Sequence, residues 1–198
     1  MKPRIHQLFA LTATLFCFSA SLFVYWEEEF QYYVVDNVPS LVVGSDVDLS
    51  EFFSNSKRPI YFHFFDEDCA DSKISLEHFP IVAKHYQEVC EYIVVNASNL
   101  EAAALRQEYQ LPSYIQIIDD SDHVLTNRLK VVTTPHALIV NTDNQLLFTG
   151  NYSDGSGLCG ANTIRNSAPA VALRFLASNH QTPLFSPYQI AFTGCPIN

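Results

Sequence analysis

Cys69 stands in the stretch Asp66-Glu67-Asp68-Cys69-Ala70-Asp71-Ser72, directly after the apolar run Pro59 to Phe65. A cysteine reacts as its thiolate, and the partial positive charge at a helix N-terminus stabilises that form. The residues after Cys69 have helical spacing, so the thiol is placed where that charge acts. Glu67, Asp68 and Asp71 work against it, because negative neighbours disfavour a further negative charge. Ser72 offers a hydroxyl where a second thiol would close a local disulfide. Exchange through Cys69 therefore stops at a mixed disulfide unless another cysteine resolves it.

The chain has five cysteines. Cys17 lies in an apolar N-terminal segment and reads as a packing residue. Cys69, Cys90, Cys159 and Cys195 remain, and four cysteines allow three complete pairings among which the sequence does not choose. Cys90, just before a core strand, reads as buried and inert. His136 follows Pro135 and is a candidate neighbour of Cys69, able to tune the thiol or to contribute to a copper or zinc site; a solvated or core-edge histidine is the alternative. Metal ligation needs several preorganised donors, so no metal is expected. His63, inside Pro59 to Phe65, reads as a core residue rather than a ligand. No Ser-His-Asp arrangement, phosphate-cradling glycine loop or paired-cysteine zinc signature is present, and no cofactor is implied.

The 198 residues suffice for one domain with an anchor and tails, and a hydrophobic fraction of 48% supports a packed core. The net charge of −10 argues against nucleic acid as a partner, because phosphate binding requires clustered Lys and Arg. Leu8 to Trp26 is nineteen residues without a charge, close to the roughly 20 that a membrane-spanning helix needs. Lys2 and Arg4 precede it and Glu27, Glu28 and Glu29 follow, which places the N-terminus in the cytoplasm and exports the rest. Cleavage after Ala20 would put Phe18 at the third position before the cut, so an uncleaved anchor is the reading. Outside the cytoplasm thiols tend to be oxidised.

The elements that must position Cys69 follow in order. Residues 1–26 form the N-terminus and anchor, 27–45 a stalk with an edge hairpin, 46–180 the main domain and 181–198 a tail. The domain opens with a short helix that Asp48 or Ser50 would cap. Pro59 to Phe65 is a strand buried on both faces. Cys69 to Glu88 is a helix with Ile74, Phe79, Val82 and Tyr86 on its apolar face and a kink at Pro80. Tyr92 to Val95 is a second strand, Asn99 to Tyr109 a helix capped by Asn99, and Tyr114 to Ile118 a third strand. A short helix across His123 to Leu129 precedes a hairpin of Ala137 to Val140 and Leu146 to Phe148. The loop Asn151 to Asn162 leads to a helix from Ala168 to Ala177. This order predicts an α/β sheet with parallel crossovers and an antiparallel edge.

A strand running straight into Cys69-Ala70-Asp71-Ser72 at a helix start, with Thr133-Thr134-Pro135 opening the later hairpin, resembles the thioredoxin-like superfamily over about Asp46 to Ser178. The added strand and short helix between Glu108 and Val132 are similar to its exported, membrane-tethered branch, related to cytochrome c maturation proteins and peroxiredoxins, and to anchored proteins of Gram-negative bacteria. The resemblance implies a mixed sheet flanked by helices and thiol–disulfide exchange, with Cys69 and Ser72 at the Cys-x-x-Cys positions. It implies a cis-proline at Pro135 facing Cys69, with Thr134 and Pro135 presenting substrate backbone. It also implies a bacterial inner-membrane protein facing the periplasm, with exported thiol-containing proteins as partners. Asp68 and Ser72 depart from the usual Trp-Cys-x-x-Cys, which leaves a non-catalytic binding or assembly module as the alternative, and a copper-handling role behind it. In such a sheet the loop bearing Cys159 approaches the active site, so Cys159 is a candidate resolving thiol. Pairing of Cys159 with Cys195, stapling the tail, competes with a Cys69–Cys159 pair.

Overall fold

The computed structural model describes residues 3–30, 41–49, 52–53, 56–152, 167–178, 183–185 and 194–197. The chain divides into two units, Met1–Tyr32 and Tyr33–Asn198. The first is helix α1, Pro3–Phe30, which takes in the whole charge-free run. Among the described residues no helix is long and apolar enough to cross a membrane. The predicted stalk hairpin falls largely on residues 31–40, outside the described residues.

In the second unit, strand β1 (Ile60–Phe65) is buried at every position, as its run of aromatic and β-branched residues requires. It lies at the centre of a five-stranded sheet. β2 (Glu91–Asn96) runs parallel to it, with Tyr61 opposite Tyr92 and His63 opposite Val94, and β3 (Ile115–Asp119) runs parallel to β2. On its other side β5 (His136–Val140) is antiparallel, with Phe64 opposite His136, and β6 (Leu146–Gly150) closes the hairpin. The spatial order is β3-β2-β1-β5-β6. Parallel strands on one side and a hairpin on the other give the parallel crossovers and antiparallel edge that the residue order predicted, in the mixed sheet that the resemblance implied.

Alternation along β1 sorts the core into two layers. Tyr61 and Phe65 face α2 (Ala70–His85), α3 (Ala102–Glu108) and α5 (Ala168–Ala177), joining Leu76, Phe79, Leu105, Ala172 and Leu173. Phe62 and Phe64 face the other way, joining Leu125 and Leu129 around α4 (Val124–Arg128) and Val47 and Leu49 from the segment before β1. Phe79 sits against Tyr61 at a ring-centroid distance of 5.5 Å and against Tyr92 at 5.9 Å, anchoring α2 on the sheet.

Several expected details come out differently. Ile74 is exposed; the buried stripe of α2 is Ser72, Ser75, Leu76, Phe79, Val82 and Ala83, the positions that fall together at 3.6 residues per turn. α3 begins at Ala102 with Glu101 in the cap position, and no side chain caps it; Asn99 lies ahead of that turn. The expected helix at Asp48 is, over the described residues, a turn in which the Phe52 and Phe53 N–H groups donate to the Leu49 carbonyl. α4 owes its start to Asp120, whose buried carboxylate accepts from the Leu125 and Thr126 N–H groups at 2.7 and 2.8 Å and from the Thr126 hydroxyl at 2.6 Å. Arg106 fixes the approach to β3 by donating to the carbonyls of Leu111, Pro112 and Ile115.

A second, two-stranded sheet was not foreseen. β4 (Thr133–Thr134) pairs antiparallel with β7 (Cys195–Pro196), bringing the end of the chain onto the segment that precedes Pro135.

Candidate active site

Cys69 occupies the N-cap position of α2 with extended backbone, and its carbonyl accepts the Lys73 N–H at 3.1 Å. The turn from β1 is held by two neighbours. Ser72 Oγ accepts the Asp66 N–H at 3.1 Å, and Asp66 Oδ1 accepts the Asp68 N–H at 3.0 Å. Ser72 is fully buried, so its hydroxyl shapes the loop that carries Cys69. Burial raises the Asp71 carboxyl in the first turn above the usual carboxylate value.

The Thr134–Pro135 peptide bond is cis, as the resemblance implied, and Cys69 Sγ lies 3.3 Å from the Thr134 carbonyl oxygen. In this structure that approach is a packing contact, because Cys69 carries no proton: its sulfur is bonded to Cys195, with the two Cα atoms 5.7 Å apart and the residues 126 positions apart in sequence. Neither pairing weighed from the sequence forms. Cys195 is joined to Cys69 and so cannot staple the tail through Cys159, and Cys69 has no valence left for Cys159, which lies outside the described residues. The thiol that Ser72 fails to supply is supplied by the tail.

The strand pairing explains how a residue so distant reaches α2. Thr134 faces Cys195 and Thr133 faces Pro196, and the Ile197 N–H donates to the Val132 carbonyl at 3.0 Å. Ile197 also packs against the apolar layer that holds Phe62 and Leu138. Cys69, Thr133 and Thr134 are completely buried, whereas Cys195 is partly exposed. Cys195 and Pro196 line a cleft of about 340 Å³ together with Asp66, Glu67, Asp68 and Ser98. Solvent thus reaches the disulfide from the Cys195 side.

Cys90 is fully buried, and burial pushes its thiol up to about 12. His136 is not part of this site: its Nε2 lies 2.9 Å from Thr149 Oγ1 and its ring meets Phe64 edge-on, in the layer opposite α2. His63 stacks on Phe79 with ring centroids 4.6 Å apart, and its Nδ1 is hydrogen-bonded to the Tyr152 hydroxyl, itself 2.6 Å from the Tyr61 hydroxyl. Among the described residues no group of His, Cys, Asp and Glu side chains is arranged to hold a metal ion.

The acidic rim has a measurable consequence. A thiol that opens the disulfide at Cys195 passes Asp66, Glu67 and Asp68. At equal thiolate concentration the cationic thiol cysteamine should reduce the protein about tenfold faster than the anionic 3-mercaptopropionate, a few carboxylates each contributing on the order of 0.5 kcal/mol at exposed distances. The ratio should fall toward one in 1 M salt. Equal rates at low salt would place the point of attack elsewhere.

No protein-family model and no curated protein matches the chain. Solved structures do. A hypothetical protein of Sinorhizobium meliloti 1021 is 15% identical and superimposes over 80% of this chain and 94% of its own with a TM-score of 0.62. An uncharacterized conserved protein of Geobacillus kaustophilus is also 15% identical, over 84% of this chain and 92% of its own, with a TM-score of 0.57. A secreted Mycobacterium tuberculosis disulfide oxidoreductase homologous to E. coli DsbE matches 59% of this chain and 81% of its own at 13% identity and a TM-score of 0.45. The likeness to the first two concerns the fold.

Proposed function

We propose that this chain is a membrane-anchored, extracytoplasmic thiol–disulfide exchange protein whose working pair is Cys69 and Cys195. The observation that carries the reading is the disulfide itself: it joins the N-cap of α2 to a strand laid against Thr133–Thr134, with one sulfur buried and the other open to a cleft. The charge-free run from Leu8 to Trp26, with Lys2 and Arg4 before it and three glutamates after, supplies the anchor in a bacterial inner membrane and faces the domain to the periplasm. Exported thiol-containing proteins are the partners in this reading.

The chemistry runs as follows. A partner thiolate attacks Cys195 Sγ; the Cys69–Cys195 bond breaks, and Cys69 leaves as a thiolate at the N-terminus of α2, where the helix charge stabilises it. A second partner thiolate then attacks the partner's own sulfur in this mixed disulfide; the partner disulfide forms, the bond to Cys195 breaks, and Cys195 leaves as a thiolate. The partner has lost two electrons and formed a disulfide, and the protein has taken up both electrons and two protons. A separate reaction is open to the reduced protein: Cys69 attacks a partner disulfide, one partner sulfur leaves as a thiolate, and Cys195 then attacks Cys69 Sγ, re-forming the Cys69–Cys195 bond and releasing the partner's second thiol. Reduced Cys69 has an acceptor for its proton in the Thr134 carbonyl, 3.3 Å away.

The alternative, a thioredoxin-fold binding module with a stapled tail, is favoured by the complete burial of Cys69. Equilibration in graded thiol–disulfide buffers followed by alkylation and mass mapping separates the two. Structural disulfides have potentials below about −300 mV, while exposed exchanging ones lie higher. We expect Cys69 and Cys195 to become alkylated together with a midpoint above that value; a midpoint below it would establish the staple and remove the exchange role.

A further inference from the structure

The tail does more than deliver a sulfur. Gly194–Ile197 lies on β4 as an extended antiparallel segment, in register with Thr133 and Thr134, with its cysteine bonded to Cys69. Within one chain this is the arrangement of a mixed disulfide between Cys69 and an extended peptide. The fit turns on Gly194. A Cβ built there would lie 2.3 Å from the Thr134 carbonyl oxygen and 3.0 Å from its carbon, and real Cβ atoms do not approach so closely. The obstacle is backbone, fully buried and paired, so it cannot turn aside as a long side chain would. Gly194 also has φ +131°, a conformation that L side chains rarely adopt. Any residue but glycine at this point lifts the segment off β4 and carries the next residue's sulfur away from Cys69. Further along, Pro196 has no N–H to leave unsatisfied, and the Ile197 N–H donates to the Val132 carbonyl while its side chain packs, partly buried, against the apolar layer.

We propose that Gly194–Ile197 is an in-cis stand-in for the substrate, and that Cys69 reacts in trans with extended segments in which glycine immediately precedes the cysteine and an apolar residue follows two positions after it. The inference rests on the exchange reading and adds to it a substrate class and a positioning residue, Gly194. Reduction releases the tail's covalent hold, and the strand edge at Thr133–Thr134 then passes to a segment of the same shape.

The test uses the full chain carrying Cys195→Ser, reduced, and two symmetrical peptide disulfides. One has the sequence of residues 191–198, Ala-Phe-Thr-Gly-Cys-Pro-Ile-Asn, and the other has alanine in place of its glycine. The Cys69 thiolate attacks a peptide sulfur, one Cys69–peptide disulfide forms, and the second peptide leaves as a thiol. Glutathione disulfide serves as the shape-independent reference. Mass mapping should show the Cys69 adduct of the glycine peptide forming at least about tenfold faster than that of the alanine peptide, since a displacement of the sulfur by an ångström or so costs roughly 10²-fold in a positioned reaction. Equal rates for the two peptides, with Cys69 still reactive to glutathione disulfide, would overturn the proposal and leave the exchange reading intact. A Cys69 inert to all three would overturn both. In the otherwise natural chain Gly194→Ala should shift the Cys69–Cys195 equilibrium at least about tenfold toward the dithiol in glutathione buffers, and an unchanged equilibrium would also overturn it. The peptide comparison involves no change at Gly194 and decides the matter if that variant does not fold.

Discussion

Cys195→Ser is expected to abolish multiple-turnover thiol–disulfide exchange while leaving Cys69 able to react once. In the proposed exchange role, with dithiothreitol as donor and a peptide disulfide as acceptor, the natural chain should pass electrons through the Cys69–Cys195 pair and return to its starting state. Without Cys195 the first attack by Cys69 yields a mixed disulfide that only the external donor can open, so the rate should fall to the donor's own and the Cys69 adduct should accumulate. Ser72 cannot rescue the cycle: a hydroxyl forms no disulfide, and its oxygen is already engaged with the Asp66 N–H at 3.1 Å. Cys90 cannot either, being fully buried with its thiol pushed up to about 12, so that almost none is thiolate at neutral pH. Cys159→Ser should leave turnover unchanged. Full activity in Cys195→Ser, lost only when Cys159 is also replaced, would return the resolving role to Cys159.

What the sequence revealed and what it concealed have a common physical origin. β1, β2 and α5 were legible because each is an uninterrupted run with one burial pattern, and local runs of this kind are what periodicity detects. Cys69 at a helix start was legible for the same reason: the apolar strand ends at Asp66 and helical spacing begins within a few residues. The register of α2 was harder, since Ile74 and Leu76 are both apolar and only packing against the sheet chose Leu76. Asn99 is a good capping residue in isolation, but Asn96 and Ser98 draw that segment into a turn, with the Asn96 amide donating to Leu100 and Ser98 donating to Asn96, and the helix begins later. The cysteine pairing was hidden for a different reason. It depends on a two-residue strand meeting another two-residue strand 61 to 63 positions away, and neither strand is long enough to show a period. The one local signal was the glycine before Cys195, whose meaning depends on a carbonyl that lies against it only in the folded chain.

Mild acid should destabilise the domain before its carboxylates titrate, because two histidines are buried neutral on opposite faces of the sheet. His63 and His136 are each completely buried, and burial holds each imidazole down at about 3, against 6.5 for the exposed group. His63 is enclosed by Phe79, Tyr152 and Tyr61, and its Nε2 has no partner; His136 lies between Phe64 and Thr149. For both groups the folded form binds its proton more weakly than the unfolded form. Stability from this source is therefore complete above pH 6.5 and is lost as pH falls from there toward 3, at about 1.4 kcal/mol per pH unit for each histidine. By pH 5 the two together should remove about 4 kcal/mol, and by pH 4 about 7, from a total that for a domain of this size is on the order of 5–15 kcal/mol. Denaturant midpoints measured at pH 7.5, 6 and 5 should fall steeply in this interval, above the range in which ordinary carboxylates near pH 4 take up protons. Replacing His136 by glutamine, which can still reach Thr149, should halve the slope between pH 6.5 and 5. Constant stability from pH 7 to 5 would show that protonated imidazoles are accommodated in the folded core, and would contradict the burial on which both layers of the sheet are built.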